Sequence, residues 1–236
     1  MRIAIISDIH GNRTAFEAVL ADLRDMAPDL ILHGGDLADT GSSPVDIVDH
    51  IRDLGWRGVV GNTDEMLFNP TSLDQAATAS PMLDAIREMA AATRDAVGEE
   101  RLAWLRKLPE VQIQNPVVLL HASPESTWRS PMPEASDAEL QQVYQRLGQS
   151  VAVYGHVHRP FIRTLPTMVV ANTGSVGLSY DGDRRAAYLL VDDDQPTIRR
   201  VEYDLDRERR ALADSGLPHT KWVARLLDRA VFEMPQ

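Results

Sequence analysis

The sequence predicts an α/β protein in which stacked β-α units are followed by a second sheet, and three observations carry that prediction. Short apolar runs alternate with helical patterns through the first two-thirds of the chain. Beyond His158, strand-like runs succeed one another across Pro- and Asp-rich turns, with no helical pattern between them. No internal repeat or low-complexity linker interrupts the chain, which favours one domain over residues 1–236, with the C-terminal helices from about 206 packed on it.

Arg2 to Ile6 is the first strand, and residues 14 to 26 place Phe16, Val19, Leu20, Leu23 and Met26 on one helical stripe. Leu30 to Leu32 form a second buried strand, stopped by Gly34 and Gly35. A helix over 44–54 opens on Pro44, where the missing N–H costs nothing, and turns Val45, Val48 and Ile51 to the core. Val59 and Val60 are read as a very short third strand ending at Gly61. A helical insertion follows around 65–107, with Leu83, Ile86, Met89, Ala90 and Val97 on one stripe and Trp104, Leu105 and Leu108 in a second helix. Strands return at 111–113 and 117–120, then a helix near 137–147 and a strand at 151–154. Four further strand-like runs, 161–165, 168–171, 186–191 and 197–203, are expected to pair antiparallel in a sheet packed on the first. In the tail, Trp222, Val223, Leu226, Leu227 and Ala230 repeat at helical spacing.

Composition narrows the chemistry. The chain has no cysteine, so disulfides, thiolate nucleophiles and thiolate metal ligands are all excluded, and any metal must be held by nitrogen and oxygen. A net charge of −11 with no offsetting basic stripe makes nucleic acid an unlikely partner, and Arg13, Arg129, Arg159 and Arg163 are scattered and form no track. The opening MRIAIISDIHG is too short for a signal peptide or a membrane span, and the cytoplasm is the expected location.

The polar residues are informative because of where they fall. Asp8 and His10 follow the first strand, Asp36 the second, Asn62 the third and His121 the run Val117 to Leu120, while His156 and His158 follow Val151 to Tyr154. The crevice beyond the carboxyl ends of strands is where open α/β sheets bind ligands. Each residue taken alone has a plainer reading, as a turn former, a cap or a loop histidine. The coincidence is harder to dismiss, because four of the seven histidines stand at such strand ends. His33, His50 and His219 do not, although His33 is close enough to Asp36 in sequence to support it from behind. Seven nitrogen and oxygen ligands exceed the roughly four of a tetrahedral zinc and suit two ions sharing a carboxylate. Mixed imidazole and carboxylate ligation fits manganese, iron or zinc better than magnesium or calcium, with manganese the ion expected to support activity.

These residues resemble the calcineurin-like metallophosphoesterase superfamily, and in particular its small bacterial phosphodiesterase-type members. The matching blocks occur in order: Asp8-Ile9-His10, Gly35-Asp36, Gly61-Asn62, His121 and Gly155-His156-Val157-His158. Asn172-Thr173-Gly174-Ser175-Val176-Gly177 is similar to a turn of the small bacterial members, and here it is read chiefly as a Gly-rich turn between strands. The resemblance covers about residues 2–203 and implies a four-layer sandwich of two packed mixed β-sheets flanked by helices. It implies that Asp8, His10 and His158 hold one metal, that Asn62, His121 and His156 hold the other, and that Asp36 bridges them. It also implies a phosphoric ester hydrolase in which metal-activated hydroxide attacks phosphorus in line, with Asp36, Asn62, Thr63 and His121 at the reacting centre. At Thr63 the chain departs from many relatives, which carry there a histidine thought to assist the leaving group; a hydroxyl does not titrate near neutral pH.

The expected partner is a small phosphorylated substrate and not a membrane. Phosphodiester hydrolysis is favoured, against a phosphomonoesterase, a phosphoprotein phosphatase or a dinucleoside polyphosphate hydrolase with the same metals. A non-catalytic metal-bearing scaffold and a nuclease are the alternatives of other classes. The natural substrate, the native metal and the oligomeric state are not legible in the sequence.

Overall fold

The computed structural model describes residues 1–76 and 80–235. Two five-stranded mixed sheets pack face to face, with helices on both outer faces. The first sheet is ordered β10-β9-β1-β2-β3, formed by Gln195–Val201, Ala186–Asp192, Arg2–Ile6, Leu30–His33 and Arg57–Gly58. The second is ordered β4-β5-β6-β8-β7, formed by Val111–Gln114, Val117–Leu120, Val151–Tyr154, Val169–Asn172 and Phe161–Thr164.

Period-two alternation explains the layering. Ile3 and Ile5 of β1 face inward and meet Val117, Leu119, Val151 and Val153 of the other sheet. Ala4 and Ile6 face outward, onto helices α1 (Arg13–Met26) and α2 (Pro44–Leu54), where Phe16, Val19, Ile47 and Ile51 are buried. On the far side, Val118, Leu120, Ala152 and Tyr154 pack against Leu140 and Tyr144 of α5 (Asp137–Tyr144). The near-continuous apolar β1, β5 and β6 are therefore covered on both faces, as parallel strands require.

Three expectations need correction. The third strand is Arg57–Gly58, not Val59–Val60: β3 pairs with Leu32 and His33, after which the Val60 N–H turns to the Pro109 carbonyl and the chain leaves the sheet. The strands after His158 do not form a sheet of their own. β7 and β8 complete the second sheet, with β8 parallel to β6, while β9 and β10 extend the first from the free edge of β1. Their shared lack of intervening helices reflects short connections, not a shared sheet. The helical insertion begins earlier than expected, with α3 (Asn62–Phe68), followed by a 3₁₀ turn over Pro70–Gln75. Helix α4 (Ser80–Leu105) bends at Gly98, whose φ of 73° is outside helical space. Residues 77–79 of the predicted helical stretch lie outside the described residues.

At the C-terminus, α6 (Leu205–Asp214) and α7 (Thr220–Arg229) bury Leu212, Trp222, Val223, Leu226 and Leu227 against Ala85 and Met89 of α4 and against Leu178. The stripe expected on α7 is therefore its buried face. Among the described residues no helix is long and apolar enough to cross a membrane.

Candidate metal centre

Strands β1, β2 and β3 run parallel in one sheet and β5 and β6 run parallel in the other, so their carboxyl ends reach one edge of the sandwich. The structure gathers all seven sequence-predicted ligands there. Five of them, Asp8, His10, Asp36, His156 and His158, have φ between 49° and 67°, the left-handed region that non-glycine residues seldom adopt. Such backbone costs on the order of 1 kcal/mol or more per residue and persists where the surroundings over-determine it. Those surroundings are the neighbouring loops. A Cβ on Gly61 would lie 2.0 Å from Asp36 Oδ1, and one on Gly155 would lie 2.3 Å from Asp8 Oδ2. Glycine before Asn62 and before His156 thus lets each ligand loop close on the opposing carboxylate.

In one half of the site, oxygen and nitrogen atoms of Asp8, His10, Asp36 and His158 all lie within 4.8 Å of one another. The histidine tautomers are fixed from behind. His10 Nδ1 is 2.9 Å from the Asp39 carbonyl and His158 Nδ1 is 2.5 Å from the Leu178 carbonyl, so both Nδ1 atoms are donors. In the neutral rings Nε2 is then the lone-pair atom, and the two Nε2 atoms face each other at 3.1 Å beside Asp8 Oδ1, itself 3.1 Å from His158 Nε2. Burial, with His158 adding to it, lowers the His10 pKa and so favours the neutral ring. Burial works against ionisation of Asp8, yet positive charge on the neighbouring His158, the hydrogen bond from its ring, and charge on His121 and His10 beyond it hold the carboxyl below the usual range. Imidazole nitrogens and carboxylate oxygens converging on one point make a cluster that suits a divalent cation.

The other half is built alike. His121 Nδ1 lies 2.7 Å from the Gly34 carbonyl, which leaves Nε2 as the lone-pair atom, 2.8 Å from Asn62 Oδ1. His156 Nδ1 is 2.9 Å from the same oxygen, and burial lowers its pKa to about 4. Turned over, the Asn62 amide would donate to both rings; as it stands, its Oδ1 and the two imidazoles converge on one point. Asp36 joins the halves: its Oδ2 is 3.6 Å from His10 Nε2 and 3.5 Å from His121 Nε2.

The comparisons with known proteins agree with this geometry. The model of the calcineurin-like phosphoesterase superfamily domain matches residues 1–195, which span every ligand. The chain belongs to the calcineurin-like phosphoesterase superfamily. It is 30% identical to the uncharacterized protein MJ0912 of Methanocaldococcus jannaschii, over 95% of this chain and 96% of that one. A metallophosphoesterase structure from Sphaerobacter thermophilus superposes with a TM-score of 0.81 at 26% identity, covering 98% of this chain and 99% of that one. The hypothetical protein PH1004 of Pyrococcus horikoshii OT3 shares the fold, with a TM-score of 0.84 at 17% identity over 96% and 97% of the two chains. As a calcineurin-like phosphoesterase, this chain is a metal-dependent phosphoric ester hydrolase whose buried Asp and His cluster suits a divalent metal.

Two positioning elements of this phosphoesterase escaped the sequence reading. Asp64 is fully buried, and its carboxylate accepts from the backbone N–H groups of Asp36 at 2.7 Å, Leu37 at 2.9 Å and Gly61 at 3.2 Å, tying two ligand loops together. Burial and the nearby Asp36 push its pKa up to about 7. An acidic residue two positions after a predicted ligand was the available signal. The segment 172–178 is more than a turn. Asn172 Nδ2 donates to the Gly155 carbonyl, Ser175 Oγ donates to the Asp8 carbonyl at 2.7 Å, and the Gly177 N–H donates to that same carbonyl. It braces the loops of Asp8 and His156 at once.

Thr63 lines the cavity over the metal ligands, and its backbone N–H donates to Asp36 Oδ1 at 2.8 Å. Its buried hydroxyl has no hydrogen-bond partner among the described residues. His33 does not support Asp36. It is wedged against Gly58, with Trp104 beside it, and neither ring nitrogen has a partner among the described residues. His50 Nδ1 meets the Asp46 carbonyl and His219 pairs with Glu88, both away from the ligands.

Proposed function

We propose that the protein is a dinuclear metal-dependent phosphodiesterase acting on a small phosphorylated substrate, with the whole chain serving as one domain. The observation that carries this reading is Asp36, placed within 3.6 Å of imidazole nitrogens from both halves of a seven-residue donor set. Asp8, His10 and His158 would hold one ion, Asn62, His121 and His156 the other, and Asp36 both. Bound there, two divalent ions supply the charge that grips a phosphoryl group and the hydroxide for in-line attack. Manganese fits this mixed nitrogen and oxygen set best, with iron or zinc next.

The chain's own residues do the rest. The carbonyls of Asp39, Gly34 and Leu178 hold the Nδ1–H of His10, His121 and His158, so that Nε2 of each neutral ring is the atom left to face a metal. Asp64 and the 172–178 brace set the spacing of the loops, so the donors are already in place before substrate arrives. Hydrolysis breaks one P–O bond, and the departing alkoxide takes up a proton. Thr63 cannot act as the acid near neutral pH, and the Asp64 carboxylate already accepts three backbone N–H groups. Weak help for the leaving group favours diesters with good leaving groups.

The test compares bis(4-nitrophenyl) phosphate with 4-nitrophenyl phosphate at equal metal occupancy. The diester is expected to have the higher kcat/KM. Faster cleavage of the monoester at every pH would replace this reading with a phosphomonoesterase.

A further inference from the structure

Five of the seven candidate ligands, His10, Asp36, Asn62, His156 and His158, form only the floor of a cavity of about 700 Å³, a volume typical of sites that enclose a whole small molecule. Its roof has a different chemistry. Helix α4 contributes Met82, Ile86 and Met89 at helical spacing, helix α7 contributes Trp222 and Leu226 from one face, and Phe232 closes the mouth. Resting on the phosphodiesterase reading above, we propose that the organic group of the substrate is uncharged and apolar, and that it rests under this roof while its phosphate meets the metals.

Several observations point the same way. The Trp222 indole N–H, the polar handle of that side chain, is spent on the Glu233 carbonyl at 2.9 Å, so the ring offers the cavity only carbon surface. The charged residues at the rim are engaged elsewhere: Asp181 with Arg200, and Arg159 with Glu134. Among the described lining residues the roof has no lysine, asparagine or glutamine; of the other side chains that can read a nucleobase edge, Arg159 and Asp181 are already paired and Asp39 and Thr40 lie by the floor, next to His10. Methionine, with a flexible and polarisable thioether, moulds itself to apolar groups of varied shape.

An aromatic line joins floor to roof. The ring of His158 stacks on Tyr180 at 4.6 Å and 13°, and Tyr180 meets Phe232 edge-on at 5.5 Å. Phe232 is thereby held at the mouth although it is 44% exposed, and Val231 beside it is 49% exposed. Exposed apolar side chains around a mostly apolar cavity are covered when an apolar group enters. The family model ends at residue 195, so α7 and Phe232 lie beyond it, while α4 lies within it.

The experiment uses the full chain loaded with Mn²⁺ and three diesters with a common 4-nitrophenolate leaving group: methyl, 2-naphthyl and thymidine 5′-yl. KM is expected to fall about tenfold or more from methyl to naphthyl, the scale of burying one ring. The thymidine ester gains little. Phe232→Ser and Ile86→Ser should each compress the methyl-to-naphthyl KM ratio toward one. Calorimetric binding of 2-naphthyl phosphate against inorganic phosphate supplies a readout that needs no turnover, and the naphthyl compound is expected to bind at least about tenfold tighter. If no diester is cleaved but this binding preference holds, the diesterase reading falls and the apolar chamber stands. Equal affinities, a preference for the thymidine ester, or a KM ratio untouched by both variants would overturn the chamber.

Discussion

The seven candidate ligands come from five strand ends between residues 8 and 158, and five of them floor the cavity, whereas its roof draws apolar side chains from α4, α7 and the segment at 231–232. The floor is strained and over-determined: five ligands sit at positive φ, and backbone carbonyls, Asp64 and the 172–178 brace hold them. The roof is held by ordinary packing of amphipathic helices, and part of it stays exposed. A metal centre tolerates little displacement, because ligand atoms must meet at bonding distance. An apolar wall needs only surface of the right size. The two regions should therefore respond differently to substitution, the floor in kcat and metal content and the roof in KM.

The largest contrast is expected within the floor. Asp36→Asn removes the carboxylate placed between both halves and should lower kcat by about 10²–10⁴-fold, the range of a major catalytic contribution. Thr63→Ala should cost less than about tenfold, the scale of one lost hydrogen bond. Steady-state rates measured beside metal content check both. Equal small losses with metal content unchanged would remove Asp36 from its bridging role.

A smaller effect concerns the leaving group. With no imidazole at position 63, rates should fall steeply as leaving-group pKa rises across aryl and alkyl diesters, and general acid help is worth about 10²–10⁴-fold where it is needed. Thr63→His should flatten that slope if the new ring meets the leaving oxygen. Matching slopes, with a structure showing the ring turned to the phosphate, would place the proton donor elsewhere.

How far each region was legible follows from the same contrast. That Asp8, His10, Asp36, Asn62, His121, His156 and His158 come together at one edge could be read because each follows a short apolar run, and strand ends in parallel sheets converge. Asp64 offered only its place two positions after Asn62, and Ser175 acts through a carbonyl distant in sequence with nothing in its local spacing to mark that role. The strands after His158 read correctly as strands, but their sheet membership depends on which edges β1 and β6 leave free, a tertiary property. The stripes of α4 and α7 looked like core, and much of them is core. That Ile86 and Trp222 also line a cavity above the ligands depends on how the helices dock.

The smallest effect tests a residue the structure moved out of the site. Burial alone lowers the His33 pKa to about 4. Between the unfolded value near 6.5 and this folded value, the unfolded chain binds a proton that the folded chain refuses, so stability falls as pH falls through that window. By pH 5 the loss should reach roughly 2 kcal/mol. His33→Leu should lose less between pH 7 and pH 5 in urea unfolding with metal held constant. An identical pH dependence in both proteins would show that His33 is not the group responsible.

The most direct measurement is metal stoichiometry followed through activity. Elemental analysis of protein stripped with chelator and reloaded with Mn²⁺ should find two ions per chain, with hydrolysis absent before reloading and restored better by Mn²⁺ than by Mg²⁺. In Asp36→Asn the pair should be lost. One ion per chain in a fully active enzyme, or full activity in protein shown to be metal-free, would contradict the account.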